Sequence, residues 1–216
     1  MKTLTGQNMP ERLDKARKIS WANLGKQITF YLPGMFSYNG MAGKYPAVSI
    51  TGESCELQCD HCKGKILDTM APAMTPDVLV ETCLSFEGKG SHGVLISGGC
   101  SAEGQLPWAE FAPAIREIKD TTDLIVSIHS GCITDRDAVA LKDAGVDQAL
   151  IDVIGDEETL KKVYHVSFGL SSIEASMASL QSAGLPMIPH IVCGLDYGNI
   201  KGEKNAVDMI SRFKVE

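Results

Sequence analysis

Apolar residues along this chain fall into five short runs: AVSIT (47–51), GVLISG (93–98), LIVSIH (124–129), QALIDVI (148–154) and MIPHIVCGL (187–195). Short apolar runs bounded by turn residues read as strands buried on both faces. Between them lie stretches with helical signals. Residues 76–88 open on Pro76 and 107–119 on Pro107, a residue suited to a first helical turn. Residues 134–144 carry Thr134 as an N-cap and stop at Gly145. Two further helical stretches span 157–182, broken near Gly169, and 203–213. Ahead of the first strand, residues 10–20 read as a basic helix, and ITFYLPGMFSYNGMAGKYP (28–46) as a loop-like lead-in rich in Gly, Pro and aromatics.

Strand alternating with helix five times predicts βαβ crossovers around a parallel sheet. A doubly wound open sheet is the rival, but no Gly-rich phosphate turn follows the first strand, so the expected fold is α/β, a partial (βα) barrel. The expected division is an N-terminal helix and lead-in over 1–44 and a single barrel domain over 45–216. The chain stops just after the fifth helix, where a further strand is expected, so the barrel reads as lacking its last strand or strands and the chain as a piece of a longer one.

With 44% hydrophobic and 22% charged residues, the composition is that of an ordinary globular chain. The net charge of −7 and the absence of a basic stripe interleaved with aromatics argue against nucleic acid as a partner. Lys and Arg outnumber acids before residue 45, which reads as a solvated helix face. The first residues have no apolar signal region, and no run of about 18 apolar residues occurs, so no membrane association and a cytoplasmic location are expected. Seven cysteines is an odd number, and three of them fall within eight residues, a pattern that suits metal binding better than a disulfide framework.

Those three are Cys55, Cys59 and Cys62, in a C-x3-C-x2-C arrangement directly after the first strand. Thiolates are the usual ligands of iron-sulfur clusters, and a four-iron cluster held by three cysteines keeps one iron open. Three cysteines plus His61 would also supply a closed zinc site, the basis of a non-enzyme reading as a zinc-stabilised binding module, although no second knuckle follows.

The C-x3-C-x2-C loop after strand one, SGGCS (97–101) after strand two and the repeated βα units together resemble the radical S-adenosylmethionine (radical SAM) superfamily, over roughly residues 45–215. Within it the chain looks most like the biotin synthase-like or lipoyl synthase-like branch of archaea and anaerobes. The resemblance implies a [4Fe-4S] cluster on Cys55, Cys59 and Cys62 and S-adenosyl-L-methionine on its open iron. It places His61 near the adenine, where an aromatic residue is usual. It aligns Gly98 and Gly99 with a GGE-type motif that binds the SAM amino group; Cys100 stands where Glu is common, leaving Ser101 or Glu103 to serve. Asp152, a lone carboxylate in an apolar strand that needs a partner, resembles a polar residue beside the SAM ribose.

By strand alternation Ser127 and His129 share a face, and these two with His190 are candidate contacts to SAM or substrate. Cys83 reads as a core residue. Cys100, Cys132 and Cys193 fall near strand ends and could ligate an auxiliary cluster, although Ile96, Ser127 and Ile188 occupy the positions where biotin synthase holds its sacrificial one. The segments YLPGMFSYNG (31–40) and GLDYG (194–198) are candidates to close the barrel mouth.

The activity implied is reductive cleavage of SAM to methionine and a 5′-deoxyadenosyl radical that takes hydrogen from a substrate C–H bond. The branch implies sulfur insertion, as in biotin or lipoate formation, on a small-molecule or acyl-type substrate. An electron donor such as ferredoxin or flavodoxin would be needed. Carbon-skeleton rearrangement or C–C cleavage in cofactor biosynthesis is the alternative.

Overall fold

A computed structural model describes residues 8–28, 30, 32, 34 and 36–215. The chain divides into two compact units, Met1–Tyr31 and Leu32–Glu216. The first contains helix α1 (Met9–Leu24), which opens on Pro10 and stops at Gly25, whose φ of 77° suits a glycine. Within it Asp14 pairs with Arg17 and, at 2.7 Å, with Lys18, and the cations of Arg17 and Lys26 lie over the Trp21 ring.

The lead-in to the second unit is not all loop. Strands β1 (Ser37–Tyr38) and β2 (Met41–Ala42) form a hairpin turned by Asn39 and Gly40, whose φ values of 49° and 77° are those a two-residue turn demands. The Asn-Gly pair was the available signal.

The remaining strands form one parallel sheet: β3 (Ala47–Ser49), β4 (Ala71–Pro72), β5 (Gly93–Ser97), β6 (Ile125–His129), β7 (Gln148–Asp152) and β8 (Met187–His190), in the order β4-β3-β5-β6-β7-β8. All five predicted runs are strands, though shortened. The last ends at His190 because the chain then turns through Gly194, Tyr197 and Gly198, all at positive φ. Strand β4 was missed: it has two residues, one of them a proline, which only a sheet edge tolerates. From β3 to β8 the sheet grows in one direction without reversal, as in a barrel and unlike a doubly wound sheet. It does not close on itself.

Helices α2 (Pro76–Gly88), α3 (Trp108–Thr121), α4 (Asp135–Asp143), α5 (Glu157–Tyr164), α6 (Leu170–Ser182) and α7 (Glu203–Ile210) cross between strands or follow the last. The predicted cap holds at Thr134, which accepts from Asp137 N–H; Thr75 caps α2 in the same way by accepting from Val78 N–H, and the expected break falls at Gly169, which caps α6. The helix-facing side of the sheet buries Val48, Ile96, Ile128 and Ala149 completely, against Leu79, Cys83, Ile115, Leu141 and Met177. Each large apolar side chain so buried contributes about 1.5–3 kcal/mol.

Strand alternation puts Ser49, Ser97, Ser127, His129, Asp152 and His190 on the opposite side of the sheet. The two ends of this side differ. At the N-terminal ends of the strands the Tyr45 hydroxyl lies 2.7 Å from Ser127 Oγ, and its ring occupies space that a Cβ on Gly93 would enter at 2.2 Å. Gly34 packs there too, its missing Cβ 1.7 Å from the Tyr45 carbonyl oxygen. Lead-in residue Gly34 therefore sits at the floor and not at the mouth, a correction to the expectation for 31–40; residues 31, 33 and 35 lie outside the described residues. Among the described residues no helix is long and apolar enough to cross a membrane.

Candidate active site

At the C-terminal ends of the strands the cysteine loop leaves β3 and is tied down by its own backbone. Ser49 Oγ donates to the Gly52 carbonyl at 2.6 Å, and Thr51 Oγ1 donates to the Ser54 carbonyl at 3.0 Å. The N–H groups of Cys62 and Lys63 both donate to the Cys59 carbonyl, at 3.1 and 2.7 Å. Gln58 and Lys63 take φ values of 44° and 48°, which coil the loop so that its cysteines are carried on a tight turn.

Across the sheet the loop is zipped to the segment after β5. Gly99 N–H donates to Thr51 Oγ1 at 2.7 Å, Glu56 N–H to the Cys100 carbonyl at 2.9 Å, and Ala102 N–H to Glu56 Oε2 at 2.8 Å. The two glycines singled out by sequence are steric necessities. A Cβ on Gly98 would lie 2.9 Å from Thr51 Oγ1, and one on Gly99 would lie 2.4 Å from the Cys55 Cβ. Ser101 turns away from the strands: its hydroxyl donates to Glu103 Oε2 at 2.9 Å and accepts from the N–H of Glu103.

On its other flank the loop is clasped by Asp60. Its N–H donates to the Val163 carbonyl at 2.9 Å, Oδ1 lies 3.0 Å from His165 Nε2, and Oδ2 accepts from the Tyr197 hydroxyl at 2.5 Å. The turn 194–198 thus reaches the cysteine loop. Asp60 is held below the usual carboxylate range by the Tyr197 hydrogen bond first and His165 second. His61 lies with its ring centroid 5.1 Å from that of Tyr164, and burial lowers its pKa.

The thiols of Cys55, Cys59 and Cys62 are all free. Burial, then the neighbouring Cys62 and Cys55, pushes the Cys59 thiol up to about 12, so its deprotonation calls for a compensating cation. Three thiols on one loop with a fourth position left open are the donor set of a four-iron cluster that keeps one iron free.

The remaining predicted residues separate into two groups. His129, Asp152 and His190 end β6, β7 and β8 and converge, with His129 Nε2 3.4 Å and His190 Nδ1 3.9 Å from Asp152 Oδ1. Burial drives the Asp152 pKa up, but the hydrogen bond and charge of His129, with His190 and His61, outweigh it and leave it lowered. Ser127 shares their side of the sheet but is not with them: it is buried two residues deeper, its hydroxyl taken by Tyr45 and donated to Gln148 Oε1 at 3.0 Å. Its assignment as a SAM or substrate contact is not supported by that placement.

Cys100 and Cys132 line one cavity with His129, Asp152 and Tyr164, and burial, before the nearby Cys55, pushes Cys100 up to about 12. Cys193 is exposed beyond β8 and does not line that cavity, so the three do not form a common ligand set. Tyr164 had no signal in sequence. Its hydroxyl is buried with no hydrogen-bond partner among the described residues, in the same cavity as Cys100, His129 and Asp152. An orphaned donor there fits a site built for a polar ligand.

No family model and no curated protein matches the chain. Solved structures do. Methylornithine synthase (PylB) aligns with a TM-score of 0.58 at 16% identity over 88% of this chain and 53% of that one. HydG, a maturase of the [FeFe]-hydrogenase, aligns at 0.64 and 14% identity over 96% and 45%. HydG from Carboxydothermus hydrogenoformans gives 0.60 and 13% over 92% and 45%. The chain spans about half the length of the proteins it matches. Its six parallel strands with surrounding helices form a partial (βα) barrel that shares the fold of these proteins and does not close on itself.

Proposed function

We propose that this chain is a radical SAM enzyme in which Cys55, Cys59 and Cys62 hold a [4Fe-4S] cluster that binds S-adenosylmethionine. One observation carries the reading: a three-thiol loop stands over the C-terminal strand ends of a partial barrel and packs directly on a Gly-Gly segment of the next strand. When bound, the cluster supplies reductive cleavage of SAM to methionine and a 5′-deoxyadenosyl radical for C–H activation.

The chain's own residues position and exclude. Gly98 and Gly99 let backbone approach the loop without a side chain between, as binding of an amino-acid head group requires. Asp60, His165 and Tyr197 fasten the loop from the other side. Leu57, Ile151, Ile154 and Phe168 give the adjoining cavity apolar walls that keep water from a reactive intermediate. The Tyr164 ring lines the same cavity.

Sulfur insertion into an unactivated carbon of a small-molecule or acyl-type substrate, with an electron donor such as ferredoxin or flavodoxin, is the finer reading. It is carried by the sequence resemblance, and Cys100 and Cys132 are the thiols on the cavity wall where sulfur would be delivered. A carbon-skeleton rearrangement has in its favour only the fold shared with methylornithine synthase.

The test is anaerobic reconstitution with iron and sulfide, then incubation with SAM and dithionite, with Cys59→Ser as control. Deoxyadenosine from the wild type and none from the variant is expected. A protein that takes zinc, takes no iron and makes no deoxyadenosine would overturn the proposal.

A further inference from the structure

Three consecutive strands of the sheet end in a ligating side chain: β6 in His129, β7 in Asp152 and β8 in His190. The register pairs Asp152 with His190 and sets His129 opposite Leu150, so the carboxylate lies beside one imidazole and diagonally above the other, all on one side of the sheet. His129 Nε2 is 3.4 Å and His190 Nδ1 is 3.9 Å from the same carboxylate oxygen, and the three ligand atoms lie within 4.8 Å of one another. A first-row divalent ion bound at about 2.1 Å sets neighbouring ligand atoms about 3.0–3.4 Å apart. Small side-chain rotations close that difference.

We propose that His129, Asp152 and His190 form a two-histidine, one-carboxylate site for a single first-row divalent cation. This ligand set occupies one face of the ion and leaves the opposite positions to oxygen donors of water or substrate. The Tyr164 side chain lines the same cavity as His129 and Asp152, and its buried hydroxyl has no hydrogen-bond partner among the described residues, an unspent donor beside the trio. A ribose is the competing occupant. It would use both carboxylate oxygens for its paired hydroxyls, whereas here two imidazole nitrogens converge on one of them. The site does not depend on a cluster in the cysteine loop.

Cobalt(II) is the probe, titrated into the full chain in two forms: wild type with the cysteine loop loaded with iron and sulfide, and the iron-free Cys55→Ser/Cys59→Ser/Cys62→Ser variant. One cobalt per chain is expected in both, with ligand-field bands of nitrogen and oxygen donors and no thiolate charge-transfer band. His129→Gln, His190→Gln and Asp152→Asn should each weaken that binding by about tenfold or more. Absence of such cobalt from both forms overturns the proposal, as does cobalt with a thiolate band or cobalt that these substitutions leave unchanged. So does loss of SAM affinity in the three variants with cobalt binding intact, which would assign the trio to the ribose. If the triple-serine variant does not fold, the loaded wild type and its three single variants decide alone. Failure of SAM cleavage leaves the cobalt count untouched, so the two proposals fail separately.

Discussion

Gly99 and Cys55 touch through backbone: a Cβ on Gly99 would stand 2.4 Å from the Cys55 Cβ and 2.0 Å from the Ser54 carbonyl oxygen. Nothing in that contact can give way cheaply, since both neighbours belong to the loop's own framework. Gly99→Ala should therefore displace the first cysteine and lower iron incorporation severalfold. Gly88→Ala, where an added Cβ meets nothing within 4 Å and the backbone is helical, should leave iron incorporation unchanged. Iron and sulfide analysis of the reconstituted variants checks this.

Asp60 lies between two of the cysteines and holds the loop to His165 and Tyr197. Asp60→Ala removes both partners, and Tyr197→Phe removes one. Partners behind metal ligands commonly change affinity by about 10–100-fold. Faster bleaching of the cluster absorbance in air is expected in the order Asp60→Ala, then Tyr197→Phe, then wild type. Equal rates would show that the clasp has no bearing on the cluster.

Trp108 is 1% exposed and donates from Nε1 to the Ser130 carbonyl at 2.9 Å, joining the start of α3 to the loop after β6. Removing so large a buried ring costs about 3–5 kcal/mol. Trp108→Ala should unfold at a markedly lower denaturant midpoint than wild type, measured by circular dichroism on the cluster-free protein. Trp108→Phe should fall between them, because it keeps most of the apolar volume and loses the hydrogen bond.

Asp156 caps α5 by accepting from Thr159 N–H at 2.7 Å and pairs with Lys201 at 3.2 Å. Burial raises its pKa, but the Thr159 and Lys201 contacts outweigh it and the net shift is downward. A carboxylate lowered in the folded state stabilises above its unfolded pKa and loses that contribution as pH falls through the folded one. Asp156→Ala should thus cost about 1 kcal/mol at pH 7, the usual worth of such a cap, and less as the pH drops into the acid range below about 3.8, the ordinary value from which the shift starts. Paired thermal melts across that range test it.

The sequence alone determined what is local. Cysteines separated by three and by two residues share one loop in any fold, and short apolar runs punctuated by Pro, Thr and Gly are strands and helices wherever they pack. That is why the five strands, the cap at Thr134, the break at Gly169 and the thiol loop were legible. The partial barrel followed from their alternation.

Tertiary structure decided what depends on register and on contacts between distant segments. Ser127 and His129 are indistinguishable by alternation, yet the first is sealed under Tyr45 from 82 positions away and the second meets Asp152. Asp60 and Tyr197 are 137 positions apart, and no periodicity marks them as a pair. Tyr164 looks like any aromatic at the end of an amphipathic helix until its hydroxyl is found without a partner. Side-chain period fixes the face of a strand, but the level along the barrel axis and the neighbour across it come only from how the strands are aligned.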